Sequence, residues 1–387
     1  MAPSVSQVRE WTLGDLTATA VRLRLGATDI SQSALRIIDG LGGIGSDWAG
    51  EARDAATVRA KDHASSMQEK ARRWTNASGV LDTAAQQLGL LREAILEIVD
   101  NAENQRLFAI SDYGVVTIRT DVEAYDENIQ TRRATLEDTL RMLLLSAEAA
   151  AQMYDWQVTN ALMGVSDAER PFTPHLPPPR ELPTTGPGSA RERADRDGSG
   201  DEQWRTWKPD LTDQVKMQAV RAFWEEGGSF GSNKGMENFN RLLRHFFDNT
   251  GTQASVSVDA MFRDLPGFQA ATNSLSRQAV ERARAVMPAG YTGPIAFQSG
   301  YTGSYTPDWE THPDWFFTLG TFTYQTSGVA MPSDHGAYTI AAQTTVYDYY
   351  NFDARGKLGM LNDLNRAGWA RTFDTTGTSS PQWSHTP

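Results

Sequence analysis

The stretch Trp48-Ala49-Gly50-Glu51-Ala52-Arg53-Asp54-Ala55-Ala56 closes a glycine-broken loop and opens a very long helical pattern. Upstream, Gly40, Gly42, Gly43 and Gly45 interrupt any helix. Downstream, Ala, Leu, Glu, Gln and Arg dominate to about Asn104, with Ala55, Val58, Met67, Trp74, Val80, Leu81, Leu88, Leu91, Ile95 and Val99 near helical intervals. A Trp at such a junction fills the gap where two helices diverge, and Gly50 would let the backbone approach closely. Working outward, Val8, Trp11, Leu13, Leu16, Ala20, Leu23 and Leu25 predict a first helix. Ser31 or Ser33 is placed to cap a second one through Leu35, Ile37, Ile38 and Leu41. Phe108 to Thr117 alternates around Asp112-Tyr113-Gly114, the pattern of a small hairpin. A last helix is expected from about Asp121 to Met163. Residues 1–165 thus read as an all-α long helical hairpin.

Composition changes sharply at residues 166–203. Pro171, Pro174, Pro177, Pro178, Pro179, Pro183 and Pro187 crowd its first part, and Gly, Ser, Ala and alternating charge fill Gly186 to Asp201. Neither part carries enough apolar surface to offset chain entropy, so a plain spacer is predicted, polyproline II first and flexible afterwards. Residues 204–387 form the third section. Trp207 to Phe247 is mixed helix with a glycine-rich interruption, and Leu275 to Val286 is helical. From Tyr291 onward Thr, Tyr, Trp, Phe and Gly favour strands. Trp315 to Val329 reads as a strand bent at Gly320, Ala337 to Tyr350 as its antiparallel partner, Lys357 to Gly368 as a helix and Ala370 to Phe373 as a last strand. The predicted class is α+β, with a small antiparallel sheet or partial barrel behind the helical front.

The 387 residues carry 36 Lys plus Arg against 48 Asp plus Glu, a formal net charge of −12. That balance argues against nucleic acid or an anionic membrane as partner, because both need a basic footprint. The absence of cysteine removes disulfides, thiolate metal sites and Cys nucleophiles. No apolar run reaches the roughly 18 residues of a membrane span. Met1 to Trp11 lacks the basic-then-apolar order of a Sec signal. Gly227 to Gly235 lacks the order of a phosphate loop, since Lys234 is followed by Gly235. His245 stands alone among apolar neighbours, and no serine-hydrolase or zinc-protease motif is present. A general-base or metal site could be drawn from Asp334, His335, Asp348 and Asp353, whose carboxylates and imidazole suit hard cations or proton transfer. As ordinary structure, the same residues are turn and cap positions. The aromatics Trp309, Trp315, Phe316, Phe317, Tyr324, Tyr338, Tyr347, Tyr349 and Tyr350 are expected to form mostly sheet core.

Residues 5–165, through Trp48, Gly50 and the segment Leu91 to Thr117, resemble the Trp-x-Gly helical-hairpin domains of actinobacterial proteins tied to type VII (ESX-type) secretion. The resemblance implies Sec-independent export to the envelope or medium and pairing with small helical partner proteins. It also implies a variable C-terminal effector carried as cargo, with Trp48 and Gly50 as the partner-binding residues. In that family a Tyr-x-x-x-Asp/Glu signal follows the second helix; here only Tyr349 with Asp353 fits. The C-terminal half resembles uncharacterised mycobacterial proteins and, more distantly, the colicin M toxin domain, which cleaves a lipid-linked peptidoglycan precursor with a divalent metal. Asp348 and Tyr350 match its Asp-x-Tyr-Asp motif, Asn351 replaces the second Asp, and Lys357 and Leu358 occupy its His-Arg positions. The first expectation is therefore a secretion-associated effector or interaction protein without cofactor. The alternatives are a hydrolytic toxin, the one case that would call for a divalent metal, and an intracellular scaffold retained in the cytoplasm. The candidate catalytic residues are Asp348, Tyr350, Asp353 and His335; homo-oligomerisation stays open.

Overall fold

The computed structural model describes residues 2–42, 50–104, 107–119, 127–182, 204–225, 235–333, 337–352 and 359–385. Helix α1 (Val5–Arg9) begins with a reciprocal capping box: Gln7 N donates to Ser4 Oγ, and Ser4 N donates to Gln7 Oε1. Helix α2 (Leu13–Gly42) is one unbroken element of 30 residues, where two were expected. Ser33 does not cap anything. Its hydroxyl donates to the Asp29 carbonyl one turn back, which keeps it inside the helix. The 54-residue helix α3 (Glu51–Asn104) follows, as expected from the long Ala/Leu pattern. Gly50 precedes it at φ +98°, and a Cβ built there meets nothing within 4 Å. Glycine is thus required there by the left-handed backbone and not by close approach. Trp48 lies outside the described residues.

α2 and α3 run antiparallel, because Leu13 lies against Gly89, Arg24 pairs with Asp82 at 2.6 Å and Gly26 lies against Trp74. Their seam is made of alanine. Ala20, Ala27 and Ala34 recur every seven residues, all at most 3% exposed, and α3 buries Ala64, Ala71, Ala77, Ser78 and Ala84. Such small side chains bring the helix axes close. A Cβ on Gly26 would stand 2.5 Å from the Trp74 ring, so that glycine makes room for the indole. Helix α4 (Glu127–Met163) packs its Leu140, Leu143, Leu144, Ala147, Ala150 and Tyr154 on Leu88, Leu91, Ile95 and Val99 of α3. The predicted hairpin is present as β1 (Phe108–Ile110) and β2 (Val116–Ile118), antiparallel with Phe108 opposite Ile118. Asp112 in its turn accepts from Ser6 N at 2.7 Å, which fastens α1 to the hairpin, and bonds from the Ser6 side chain and then its backbone hold that carboxyl below its ordinary range.

In the second half, α5 (Leu211–Glu225), α6 (Glu237–Phe247), α7 (Val258–Asp264) and α8 (Pro266–Ala285) precede and flank a seven-stranded mixed sheet. Its path is β3 (Ala254–Ser255), β8 (Phe373–Thr378), β7 (Tyr338–Tyr350), β6 (Phe322–Pro332) and β4 (Ile295–Gln298). β5 (Gly303–Tyr305) also pairs with β6, and β9 (Gln382–His385) with β7. Among the described residues the sheet is open; β3 joins β8 in parallel, and β7 joins β8 antiparallel. The α+β class holds, with helix α10 (Gly359–Arg366) inside the expected range.

One predicted strand start is instead a helix. Pro313–Leu319 forms α9, with Pro313 at its first position, and Gly320 at φ +56° ends it before β6 begins. Tertiary contacts override the β propensity of Trp315-Phe316-Phe317. The Trp315 indole donates to Asp264, the Thr318 hydroxyl donates to the Asp314 carbonyl, and Asp314 caps α6 by accepting from Asn238 N and Phe239 N. The core of this half is aromatic and takes in Trp315, Tyr324 and Tyr350 of the expected residues, whereas Trp309 is 59% exposed. Phe268 alone meets Phe262, Tyr305, Phe322 and Tyr324 at centroid distances of 5.1–5.4 Å.

The chain forms two compact units that are not consecutive stretches. The first comprises Met1–His175, Arg282–Ala296 and Val329–Tyr338, and the second Leu176–Glu281, Phe297–Gly328 and Thr339–Pro387. In the first, Met287 and Tyr291 pack on the helical core, and Thr292 N donates to Gln87 Oε1 at 2.7 Å.

Candidate functional site

Strand β7 alternates. Its even-numbered residues Val346, Asp348 and Tyr350 share one face, and both Val346 and Tyr350 belong to the aromatic core of the second unit. Asp348 is therefore a carboxyl on a core-facing row. The antiparallel register places Thr375 of β8 directly opposite it and Phe373 opposite Tyr350. The Tyr350 ring stacks on Phe373 with centroids 4.8 Å apart and meets Phe246 of α6 and Phe352 edge-on.

Two neighbouring hydroxyls make no hydrogen bond among the described residues. Tyr350 Oη and Thr375 Oγ1 are both buried, on residues 3% and 0% exposed. An unmet hydroxyl in a core costs on the order of 1–3 kcal/mol, so two on the row that carries Asp348 call for an explanation. Asp348 itself is partly accessible. Burial of its carboxyl pushes the group well above the ordinary carboxylate range, opposed by a bond from the Tyr349 backbone. The Tyr350 phenol is raised as well, first by burial and then by the Asp348 charge. Burial thus works against the charged form of both the carboxyl and the phenol.

The opposite face of β7 is also polar but fully paired. Tyr347 Oη donates to Asp374 at 2.6 Å, and the Tyr349 and Thr372 hydroxyls lie 2.7 Å apart. Of the four catalytic candidates, Asp348 and Tyr350 come together. Asp353 and His335 lie outside the described residues, as do Asp334, Lys357 and Leu358. Thr375 was missed by sequence reasoning. Its only signal is strand register, which brings residue 375 opposite 348 and leaves no local motif. His245, the histidine among apolar neighbours, is set edge-on to Phe373 at 4.5 Å with Nε2 2.7 Å from the Thr252 carbonyl.

A divalent metal would need several oxygen ligands, some of them anionic. Among the described residues no group of three or more His, Asp or Glu is close enough to hold one. Among the described residues the donor set beside Asp348 is that one carboxyl, whose burial favours its neutral form, and two hydroxyls, which does not fit such an ion.

No family model matches the chain, and no curated protein matches it. Among solved structures it is weakly similar to truncated bacteriocin syringacin M from Pseudomonas syringae pv. tomato DC3000, at 13% identity. That match covers 52% of this chain and 92% of the bacteriocin chain, with a TM-score of 0.25, which falls short of a common fold. No described helix is long and apolar enough to cross a membrane.

Proposed function

We propose that the second unit is a hydrolytic toxin domain acting on a cell-envelope precursor, and that Asp348 is its proton donor. The observation that carries this reading is the Asp348 carboxyl held on a core-facing row beside the unpartnered hydroxyls of Tyr350 and Thr375. A carboxylic acid whose burial favours the protonated form can deliver its proton to a leaving-group oxygen, work to which ordinary surface carboxylates are less suited. Tyr350 would orient the reacting group through its free hydroxyl. Asn351 stands next to this pair in place of a second carboxylate, so Asp348 would serve both steps, giving its proton to the leaving-group oxygen and taking one back from the attacking water.

The test uses the full chain, because each unit draws on separated stretches of sequence. The chain is expressed in a bacterium, directed either to the cytoplasm or to the periplasm. Growth arrest confined to one compartment, relieved by Asp348→Asn at equal protein level, is the expected result. Absence of arrest in both compartments, or arrest that Asp348→Asn leaves intact, refutes the reading.

A second reading, partner binding and Sec-independent export by the helical front, is favoured by a separate observation. Val21, Leu25, Leu35 and Ile38 on α2 are 42%, 62%, 54% and 39% exposed, while the alanines of the seam are buried. Apolar residues left on one side of a helical hairpin suit a second helical protein. Fractionation of the native host with and without an intact type VII system tests it, and strict retention of the chain in the cytoplasm in both would refute export.

A further inference from the structure

The proline-rich segment before residue 183 is not free. Leu176–Arg180 crosses one face of the sheet and is gripped by side chains of three strands. Ser327 Oγ of β6 and Gln343 Nε2 of β7 both donate to the Pro177 carbonyl at 3.0 Å. Gln298 Nε2 of β4 donates to the Pro178 carbonyl. Gln325 of β6 holds Arg180 at two points: its Nε2 donates to the Arg180 carbonyl at 2.7 Å, and its Oε1 accepts from Arg180 N at 3.0 Å. Gln298, Gln325 and Ser327 are 7%, 0% and 1% exposed, and Pro177 is buried. These groups lie on the sheet face opposite Tyr324, Val346 and Tyr350.

The chemistry of the two sides is matched. A run of three prolines has carbonyl acceptors but no N–H donors. The sheet answers with four donations and a single acceptor, and that acceptor meets Arg180 N, the first backbone N–H after the prolines. Gln343 Nε2 also reaches Ser327 Oγ at 3.3 Å, which aims both groups at one carbonyl. Burying this many side-chain amides and hydroxyls is tolerable only when each finds its partner. An ordinary strand laid here would present N–H groups to donors and leave them unmet. The face thus suits a backbone poor in N–H donors, and a proline run of this kind loses little entropy on docking.

We propose that this glutamine-lined face is a binding groove for a Leu-Pro-Pro-Pro-Arg-type segment, and that the chain fills it in cis with its own residues 176–180. Covalent attachment gives the segment an effective concentration on the order of millimolar. The groove is therefore closed to dilute proline-rich ligands while the segment stays in place, and it opens to them when the segment is lost. This goes beyond the toxin reading and does not depend on it.

The experiment replaces residues 176–180 by a Gly/Ser stretch of equal length in the full chain. A dye-labelled peptide spanning Phe172 to Leu182 is then titrated by fluorescence anisotropy. Saturable binding to the replaced chain is expected, at least tenfold tighter than to the intact chain, with at least a tenfold loss when Gln325→Ala is added. A replaced chain of unchanged circular dichroism that takes up no peptide, or that binds equally well with Gln325→Ala, overturns the proposal. If replacement prevents folding, hydrogen exchange decides on the intact chain. Millimolar unlabelled peptide is expected to accelerate exchange of the Arg180 N–H by displacement, and unchanged exchange overturns the proposal.

Discussion

Replacing Asp348 by Asn is expected to stabilise the protein at neutral pH while abolishing its proposed chemistry. Asn keeps the side chain's volume and can meet the Thr375 hydroxyl, but it never has to ionise. The native carboxyl is raised above its ordinary value by burial. Below about pH 4 the group is neutral in both folded and unfolded chains, so wild type and variant differ little. Above that pH the unfolded carboxyl releases its proton while the folded one retains it. The folded state then binds more protons, and stability falls as pH rises until the folded value is passed. Each unit of displacement is worth about 1.4 kcal/mol. For a unit of this size that corresponds to roughly 3–6 °C in melting temperature. Calorimetric scans of both proteins from about pH 4.5 to 7.5 should show the variant's advantage growing with pH. A difference that is constant across that window, or one that shrinks towards neutrality, would refute the assignment of Asp348 as a carboxyl held neutral in the fold.

Other consequences follow from packing. Phe268→Ala removes a fully buried ring that meets four others, and should cost about 3–5 kcal/mol in urea unfolding of the second unit. Gly328→Ala would drive a Cβ into the Ala341 carbonyl oxygen and against Phe297, so loss of soluble protein or a far-UV change at 25 °C is expected; a native spectrum and unchanged melting would contradict the close strand approach. Ala27→Leu inserts three carbons into the alanine seam and should cost about 1–3 kcal/mol. Leu25→Ala, on the exposed side of the same helix, should change melting by less than about 0.5 kcal/mol and serves as its control.

Where the sequence was legible, local chemistry was consistent with the tertiary outcome. The Ala/Leu-rich run after Gly50 has few alternatives to helix, and Asp112-Tyr113-Gly114 specifies a turn wherever its flanks alternate. The Thr/Tyr alternation from Ala337 to Tyr350 gives β7 its two faces and thereby already places Asp348 and Tyr350 side by side. Three things were not legible for physical reasons. Trp315-Phe316-Phe317 has strand propensity, and only contacts with Asp264, Asn238 and Phe239, some 50 to 77 residues away, make it helical. Polyproline II carries no burial period, so a docked segment and a free one look alike until the glutamines that receive it are seen. Thr375 becomes a neighbour of Asp348 only through the pairing of β7 with β8, a relation with no counterpart in local spacing.

The return of Arg282–Ala296 and Val329–Tyr338 to the helical unit has a consequence for the order of events in the cell. A ribosome releases the long helices early, yet the stretch that supplies Met287 and Tyr291 to their core emerges only after more than half of the second unit has been made. The front therefore waits, partly unfinished, while the rest is synthesised. In that interval its apolar helix surfaces are available to a chaperone or a waiting partner, and a stalled or truncated product would keep them so. The first unit is complete only once Val329–Tyr338 has emerged and the second only once β8 and β9 have, so the window for capture is set by elongation time.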